Sequence, residues 1–204
     1  MIQILAIDYR EADGNFNVET SLGTFLLRYE QLEELGLSVE QELPDEAATI
    51  LESFDAFNRG WKIATNYLSR QQRCSHEVSE RLRQRGIGHE ITQSILTQLQ
   101  KLGLIDDRAY ILAYVEDRFQ YKKQSKRQIH YDLSRKKLPK EWIEEAFLPF
   151  QEEVELSNAL ELGMKKLGER SLKDQKERNR IYRYLLSKGF DYDVVNQVME
   201  RLDR

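Results

Sequence analysis

The sequence contains very little cysteine and little proline, and each shortage limits the kind of protein it can be. Cys74 is the only cysteine among 204 residues, so no disulfide can form within the chain, as is typical of proteins in a reducing cytosol. The three prolines leave most of the chain free to form helices. We therefore expect a mainly helical, cytoplasmic protein.

Long apolar segments are also absent. No window approaches the roughly 18 consecutive apolar residues that indicate a transmembrane helix. The first residues, MIQILAIDYR, have neither the basic region nor the small-residue cleavage site of a signal peptide. We expect no association with a membrane.

The residue types that carry catalysis or bind metals are few and scattered. His76, His89 and His130 are far apart and give no metal-ligand spacing. Gly86-Ile87-Gly88 lacks the following Lys-Ser/Thr of a phosphate-binding loop. Asp106-Asp107 could be a metal-binding or an acid–base pair, but its place in the turn between two predicted helices favours a helix cap. We expect no enzymatic activity, no cofactor and no metal.

Charge is unevenly distributed along the chain. The formal net charge is −4, yet residues 1–57 carry 13 acidic residues against Arg10 and Arg28, whereas residues 58–148 carry 18 basic residues against 11 acidic ones. A division of this kind indicates an acidic N-terminal element joined to a basic module.

The basic charge is concentrated in residues 118–140, which read RFQYKKQSKRQIHYDLSRKKLPK. Nine of these residues are Lys or Arg, and only Asp132 is acidic. Because opposite charges that could pair along a helix are nearly absent, we interpret the segment as a surface for an anionic partner, with a solvated helix face as the alternative. The apolar and aromatic residues between the cations are Phe119, Tyr121, Ile129, Tyr131, Leu133 and Leu138.

Residues 58–204 repeat one apolar pattern three times. The pattern recurs after 51 residues and again after a further 52, and each copy contains an amphipathic helix, a tight break, an apolar residue and a second amphipathic helix. A further helix precedes each copy, over residues 61–69, 109–119 and 156–167, which predicts three tandem three-helix repeats. The aligned positions are Val78, Leu82, Gly86, Ile87, Ile91, Ile95 and Leu99; then Ile129, Leu133, Lys137, Leu138, Trp142, Ala146 and Phe150; then Ile181, Leu185, Gly189, Phe190, Val194, Val198 and Leu202.

The N-terminal region predicts a small β/α element. Alternating apolar residues on either side of the turn at Asp13-Gly14-Asn15 predict a β-hairpin, to which residues 24–28 could add a third strand. A helix over residues 29–35 is followed by glycine, and Pro44 opens a longer helix. We therefore divide the chain into an acidic β/α element over residues 1–57 and three-helix repeats over residues 58–105, 106–150 and 151–204.

Turn and cap residues agree with the repeat. Gly86 and Gly189 lie where a helix needs a left-handed residue to end. Lys137 occupies the equivalent position in the middle repeat, at some conformational cost. Asp106 is placed as a helix N-cap, and Ser125 as another helix start.

Three segments resemble motifs of the RecX family, and together they extend from about residue 60 to the C-terminus. The opening motif is represented by Tyr67-Leu68-Ser69-Arg70 and Arg73-Cys74-Ser75, with Glu77 and Leu82. The central motif is represented by Leu102-Gly103-Leu104-Ile105-Asp106-Asp107, Tyr110, Tyr114-Val115 and Arg118. The third is represented by Ile129, Leu133 and Lys136-Lys137-Leu138. The sequence departs from the family pattern at Ser125 and Lys137, where glycine is usual.

The resemblance implies a non-enzymatic regulator of the RecA recombinase, acting in homologous recombination, DNA repair and the SOS response. Members of the family are built from tandem three-helix units that form an elongated, curved body. They lodge in the groove of the RecA–DNA filament and inhibit its ATP hydrolysis, strand exchange and co-protease activity. Several also bind DNA directly. The expected partner is therefore the RecA filament, with DNA as a second partner, and we expect a monomer.

Two sets of basic residues form the predicted RecA- or DNA-binding surface. The second repeat contributes Arg118, Lys122, Lys123, Lys126, Arg127, Arg135, Lys136 and Lys137. The first repeat adds Arg73, Arg81 and Arg85, provided that the repeats present equivalent faces. The alternatives are a DNA-binding helical module without a recombinase partner, and a scaffold for another acidic protein with which the N-terminal region competes.

Overall fold

The computed structural model describes residues 1–150 and 152–203. The chain folds into two compact units, Met1–Ile105 and a second unit that begins at Asp106. Within the described residues, no helix has the length and apolar character needed to cross a membrane.

The first unit opens with a four-stranded antiparallel sheet in the order β3-β2-β1-β4. The alternation of the sequence places Ile2 and Ile4 on the buried face, and Gly14 takes the left-handed conformation in the hairpin turn (φ 69°). The predicted hairpin and third strand are confirmed, whereas β4 was not predicted. The strands are β1 (Ile2–Arg10), β2 (Asn15–Thr20), β3 (Gly23–Leu27) and β4 (Glu42–Leu43).

Two helices complete this element, α1 (Tyr29–Leu35) and α2 (Ala47–Leu68). Helix α1 ends at Gly36, which has a φ of 56°, as predicted. The prediction that Pro44 opens the next helix is wrong, because its carbonyl accepts from the amide of Ala47 in a turn that precedes α2.

Helix α2 crosses the predicted boundary between residues 57 and 58 without a break. Two buried residues at this point explain the continuity. Asn58 donates through Nδ2 to the carbonyl of Leu26 at 2.9 Å, and Gly60 leaves room for the side chain of Ile95. The same helix therefore packs on the sheet with one end and on the first three-helix unit with the other.

Helix α2 also covers the outer edge of the sheet. The amide of Leu26 in β3 donates to Asp55 Oδ1 at 2.7 Å, and its carbonyl accepts the bond from Asn58 described above. A strand edge presents backbone groups that can pair with another chain. At Leu26 both of these groups are satisfied by side chains of α2.

The predicted fold class, a mainly helical chain with three tandem three-helix units and a small N-terminal sheet, is confirmed. The first unit of three helices uses the end of α2 with α3 (Ser75–Arg83) and α4 (His89–Lys101). The second uses α5 (Asp107–Val115), which continues as a π-helical turn (Glu116–Tyr121), α6 (Lys126–Arg135) and α7 (Lys140–Phe147). The third uses α8 (Glu152–Leu167), α9 (Gln175–Ser187) and α10 (Tyr192–Leu202).

The repeat register and its turns agree with the sequence. The first two aligned apolar positions of every copy are fully buried, and the turn residues Gly86, Lys137 and Gly189 have φ values of 78°, 54° and 85°. Two predicted helix caps are also present. Asp106 accepts from the amide of Ala109 at 2.9 Å, and Ser125 accepts from the amide of Gln128 at 3.2 Å.

Buried hydrogen bonds join the second and third three-helix units within the second compact unit. Asn158, which is 1% exposed, donates through Nδ2 to the carbonyl of Phe119 at 2.7 Å. The hydroxyl of Ser125 donates to the carbonyl of Lys188 at 2.8 Å. These bonds fix α8 and the α9–α10 turn against the connection that precedes α6.

Candidate binding surface

The basic stretch of the second three-helix unit is not one helix. Its predicted binding residues lie at the two ends of α6, in the preceding π-helical turn and connection, and in the turn that follows. We call these residues the cationic edge. They are Arg118, Lys122, Lys123, Lys126, Arg127, Arg135, Lys136 and Lys137.

Apolar residues interleaved with the cations hold this edge on the core. Phe119, Ile129 and Leu133 are fully buried, and the Phe119 ring packs edge-on against the ring of Phe147 at 5.4 Å. Burying aromatic and aliphatic side chains of this size contributes on the order of 2 kcal/mol each. The cationic side chains therefore extend from a backbone that is anchored to the core.

Asp132, the one acid in residues 118–140, accepts hydrogen bonds from two neutral side chains. Asp132 accepts from Gln128 Nε2 at 2.9 Å and from the hydroxyl of Tyr114 at 3.3 Å. Burial, together with the charge of Asp132, raises the pKa of Tyr114 above its ordinary value of 10.0. This carboxylate therefore accepts its hydrogen bonds from an amide and a phenol.

Three residues of the edge line a cleft of about 340 Å³. They are Arg118, Lys122 and Lys123, and across from them lie Tyr184 and Lys188 of α9 and its C-cap. Lys188 was not among the predicted binding residues. The repeat register could have found it, because Lys188 lies one residue before the third turn, as Lys136 lies before the second. We call this space the cationic cleft.

Lys126 is half-buried and lies near two aromatic rings of the core, whereas Arg127 beside it is exposed. The Nζ of Lys126 lies 5.9 Å and 6.0 Å from the ring centres of Phe119 and Phe147. Its backbone amide donates to Glu155 Oε1 at 3.0 Å, and burial raises the pKa of the Glu155 carboxyl above its ordinary value of 4.5. The backbone amide of Lys126 thus joins the start of α6 in the second three-helix unit to α8 in the third.

The part of the cationic edge that lies on α6 and in the turn after it is more exposed, at Arg127, Arg135 and Lys137. Arg127, Tyr131 and Arg135 are spaced four residues apart, so they lie on one face of α6. The guanidinium of Arg135 lies 5.8 Å from the ring centre of Tyr131, which is itself 58% exposed. Neither Arg127 nor Lys137 forms an ion pair within residues 1–150 and 152–203. This face offers two guanidinium groups and an aromatic ring to a partner.

The predicted arginines of the first three-helix unit are mostly engaged within that unit. The guanidinium groups of Arg73 and Arg81 lie 4.4 Å and 5.6 Å from the ring centre of Tyr67. Arg73 also pairs with Glu77 at 3.4 Å. Arg85 is exposed after the end of α3. Of the three, Arg85 is therefore the one presented to solvent.

Repeated three-helix units with a left-handed turn at an equivalent position define a class of helical-repeat proteins, here with a cationic edge on the second unit. Family models locate the same three units in the sequence. The first, second and third three-helix domains of RecX match residues 61–99, 106–146 and 153–199. The chain belongs to the RecX family, a family of regulatory proteins.

Whole-chain comparisons agree with the domain matches. A regulatory protein RecX from Finegoldia magna is 28% identical over 200 residues, covering 96% of this chain and 97% of that protein. A regulatory protein RecX from Lacticaseibacillus casei is 27% identical over 208 residues, covering 100% of this chain and 78% of that protein.

Two solved structures share the fold. A crystal structure of a regulatory protein RecX superposes with a TM-score of 0.75 at 21% identity, covering 98% of this chain and 100% of that one. A crystal structure of RecX from Lactobacillus salivarius gives a TM-score of 0.63 at 28% identity, covering 73% of this chain and 97% of that one.

Proposed function

We propose that this protein binds the RecA recombinase filament on DNA through the cationic edge, and that binding inhibits ATP hydrolysis, strand exchange and co-protease activity. The observation that carries the proposal is the group of exposed cations without ion pairs among the described residues, including Arg127, Arg135 and Lys137, on a chain of the RecX family. Like charges gathered on one surface repel one another, and an anionic partner relieves that repulsion.

The three-helix units provide the means of spreading this contact along a filament. We propose that residues 58–105, 106–150 and 151–204 form three successive repeats, that the first two supply the contact residues, and that residues 1–57 are an accessory element. Repeat proteins bind over extended surfaces to which several units contribute. In this arrangement the second unit supplies most of the charge, since it contains eight of the eleven predicted contact residues.

The test is a titration of the protein into single-stranded-DNA-dependent ATP hydrolysis by the cognate RecA. The edge variant replaces Lys122, Arg127, Arg135 and Lys137 with Ala. These four are exposed and make no ion pair in the described chain, and Lys126 is left in place because it packs on Phe119 and Phe147. We expect the half-inhibitory concentration to rise at least about tenfold, which corresponds to ~1.4 kcal/mol of binding free energy.

The matched control removes the same charge from the third unit. It replaces four exposed residues, Lys165, Lys173, Lys176 and Arg183, with Ala. We expect this variant to inhibit as the wild-type protein does. If the edge variant keeps its helical circular dichroism and still inhibits at the wild-type concentration, the assignment of the surface is wrong.

The second candidate function is binding to DNA without a recombinase partner. The exposed rings of Tyr121 and Tyr131 among the cations favour it, because bases stack on aromatic side chains while cations contact phosphates. Binding to DNA through phosphates weakens by roughly 0.7 to 0.9 log units per contact for each log unit of salt. Salt-sensitive binding to bare DNA with no change in the ATP hydrolysis of RecA would favour this function over the first.

A further inference from the structure

The cationic cleft lies where the second and third three-helix units meet. One wall consists of Arg118 in the π-helical turn and residues 122–124 in the connection to α6. Leu162 of α8 and Tyr184 of α9 belong to the opposite wall, and Lys188 lies at the end of α9. The cleft is open to solvent and has a volume of about 340 Å³.

The lining of the cleft is basic and, among the residues that the structure describes, contains no acid. Arg118, Lys122, Lys123 and Lys188 contribute four positive charges, and Gln124, Gln128 and Ser187 contribute amide and hydroxyl groups. Acids outside the lining offset two of the charges, since Arg118 Nε lies 3.5 Å from Asp117 Oδ2 and Lys123 Nζ lies 3.4 Å from Glu161 Oε2. Lys122 and Lys188 have no such acid within the described chain.

The backbone at this wall is held in an uncommon conformation. Lys123 is left-handed, with a φ of 57°, and it follows the π-helical turn that contains Arg118. A bond of 2.9 Å from the amide of Gln124 to the carbonyl of Arg118 closes the connection. Left-handed non-glycine residues and π-helical turns are costly, and they concentrate at functional sites. Here they bring Arg118, Lys122 and Lys123 together at one cleft.

Two buried polar atoms of the lining residues lack hydrogen-bond partners among the described residues. They are Arg118 Nε, whose 3.5 Å ion pair with Asp117 Oδ2 lacks hydrogen-bond geometry, and Gln124 Oε1, which needs a donor. An unsatisfied buried polar group costs about 1–3 kcal/mol. An acceptor oxygen would satisfy Arg118 Nε, whereas Gln124 Oε1 needs a donor such as an ordered water.

We propose that the cationic cleft is a phosphate-binding site, which takes a phosphate group from a free polyphosphate compound or from a nucleic-acid backbone. A phosphate presents several oxygens and up to two negative charges, which suits a guanidinium, amide donors and clustered ammonium groups. A single carboxylate would leave most of these donors unused. The proposal deepens the proposed function and rests on it only in that Arg118, Lys122 and Lys123 also belong to the cationic edge.

The experiment uses the full chain and three probes: tripolyphosphate, a short single-stranded homopyrimidine oligonucleotide, and an oligoglutamate peptide of matched charge. Binding is measured by calorimetry, and the site is located by amide chemical shifts. The cleft variant carries Lys122→Ala and Lys188→Ala. Its control carries Lys165→Ala and Lys176→Ala, which remove two exposed charges from the third three-helix unit. We expect tripolyphosphate to bind the wild-type protein with a Kd at least tenfold lower than that of the cleft variant (~1.4 kcal/mol), and the control to stay within about twofold of wild type.

The probes separate the two sources of phosphate. Competition between the oligonucleotide and tripolyphosphate, with equal sensitivity to the cleft variant, identifies a backbone phosphate as the ligand. Tripolyphosphate binding that the oligonucleotide does not displace identifies a free phosphate compound. The proposal is overturned if oligoglutamate binds the cleft as tightly as tripolyphosphate, if both variants weaken binding equally, or if no shifts occur at residues 118–128.

Because these measurements contain no recombinase, their outcome is separate from that of the ATP hydrolysis assay. Loss of inhibition in the edge variant together with an empty cleft would leave the proposed function standing and remove the phosphate site. Phosphate binding together with normal inhibition by the edge variant would do the reverse.

Discussion

The first and second three-helix units bury the same positions but differ in the number and exposure of their cations. Val78 and Leu82 of the first unit and Ile129 and Leu133 of the second are all fully buried. In the first unit, Arg73 and Arg81 lie over the ring of Tyr67, and Arg73 also pairs with Glu77. The second unit instead leaves most of its cations exposed, and it is the unit in which charge is concentrated.

The two units also differ in the groups that accept hydrogen bonds at the start of their second helix, which is α3 in the first unit and α6 in the second. In the first unit the acceptor is local, because Glu77 Oε2 accepts from the amide of Cys74 at 3.2 Å. In the second unit Ser125 caps α6 through its own hydroxyl, and a further acceptor comes from the third unit, because Glu155 accepts from the amide of Lys126. The apolar register is thus common to the units, whereas the polar groups determine which surfaces join neighbouring units and which remain for a partner.

The largest expected effect comes from the turn residues that the units share. At Gly189 the φ is +85°, and an added Cβ would lie 2.7 Å from Ser125 Oγ. Gly189→Ala therefore combines left-handed strain with a clash against the second unit. We expect a loss of about 3 kcal/mol in the free energy of unfolding, measured by urea denaturation, with faster hydrogen exchange in α6 and α9.

The matched substitution in the first unit is Gly86→Ala. Its φ is +78°, but no atom lies within 4 Å of an added Cβ. The substitution therefore introduces strain alone, and we expect a loss of about 1 kcal/mol. Equal losses at the two positions would show that the protein accommodates the added Cβ beside Ser125 without further cost.

A smaller effect of opposite sign is expected at the second turn. Lys137 holds a left-handed conformation (φ 54°) where the other units have glycine. Lys137→Gly removes this strain but increases the freedom of the unfolded chain, so we expect a net gain of roughly 0.5 kcal/mol. Lys137→Ala, which keeps the strain, serves as the control for loss of the charge. A loss of stability in the glycine variant would mean that the lysine side chain stabilises the turn.

The helical register could be predicted because it depends on local periodicity. The left-handed turn at Lys137 could be predicted as well, because the repeat aligned this residue with two glycines. Strand β4 and the continuity of α2 could not be predicted. Glu42 and Leu43 form a strand only by pairing with Gln3 and Ile2, and Asn58 is helical and buried because of the distant carbonyl of Leu26.

The candidate site was predictable in its residues but not in their environments. Lys122 and Lys126 each contribute one positive charge, so the sequence does not distinguish them. In the fold, Lys122 lines a cleft whereas Lys126 lies over the rings of Phe119 and Phe147. Phe119 belongs to the π-helical turn before α6 and Phe147 ends α7, so the position of Lys126 depends on how these segments pack. The contribution of Lys188 to the cleft has the same origin.

The smallest expected effect is a pH-dependent change in the free energy of unfolding. It comes from Glu155, which accepts from the amide of Lys126 at the start of α6. Burial raises the pKa of Glu155 in the folded protein above its ordinary value of 4.5, so the folded state holds this proton more tightly than the unfolded state does. The contribution of Glu155 to stability is therefore greatest at low pH, and it falls as the pH rises from about 4.5 through the folded pKa.

Glu155→Gln removes the titration and keeps an oxygen that can accept from the amide of Lys126. We expect the variant to match the wild-type protein below pH 4.5 and to be slightly more stable at neutral pH. Urea denaturation at a series of pH values measures the difference, with the exposed Glu153→Gln as the control that follows the wild-type curve. A glutamine variant that is less stable at neutral pH would mean that attraction between the charged carboxylate, Lys126 and the first turn of α6 outweighs the cost of burying the charge. Glu155 would then stabilise α6 through its negative charge as well as through its hydrogen bond.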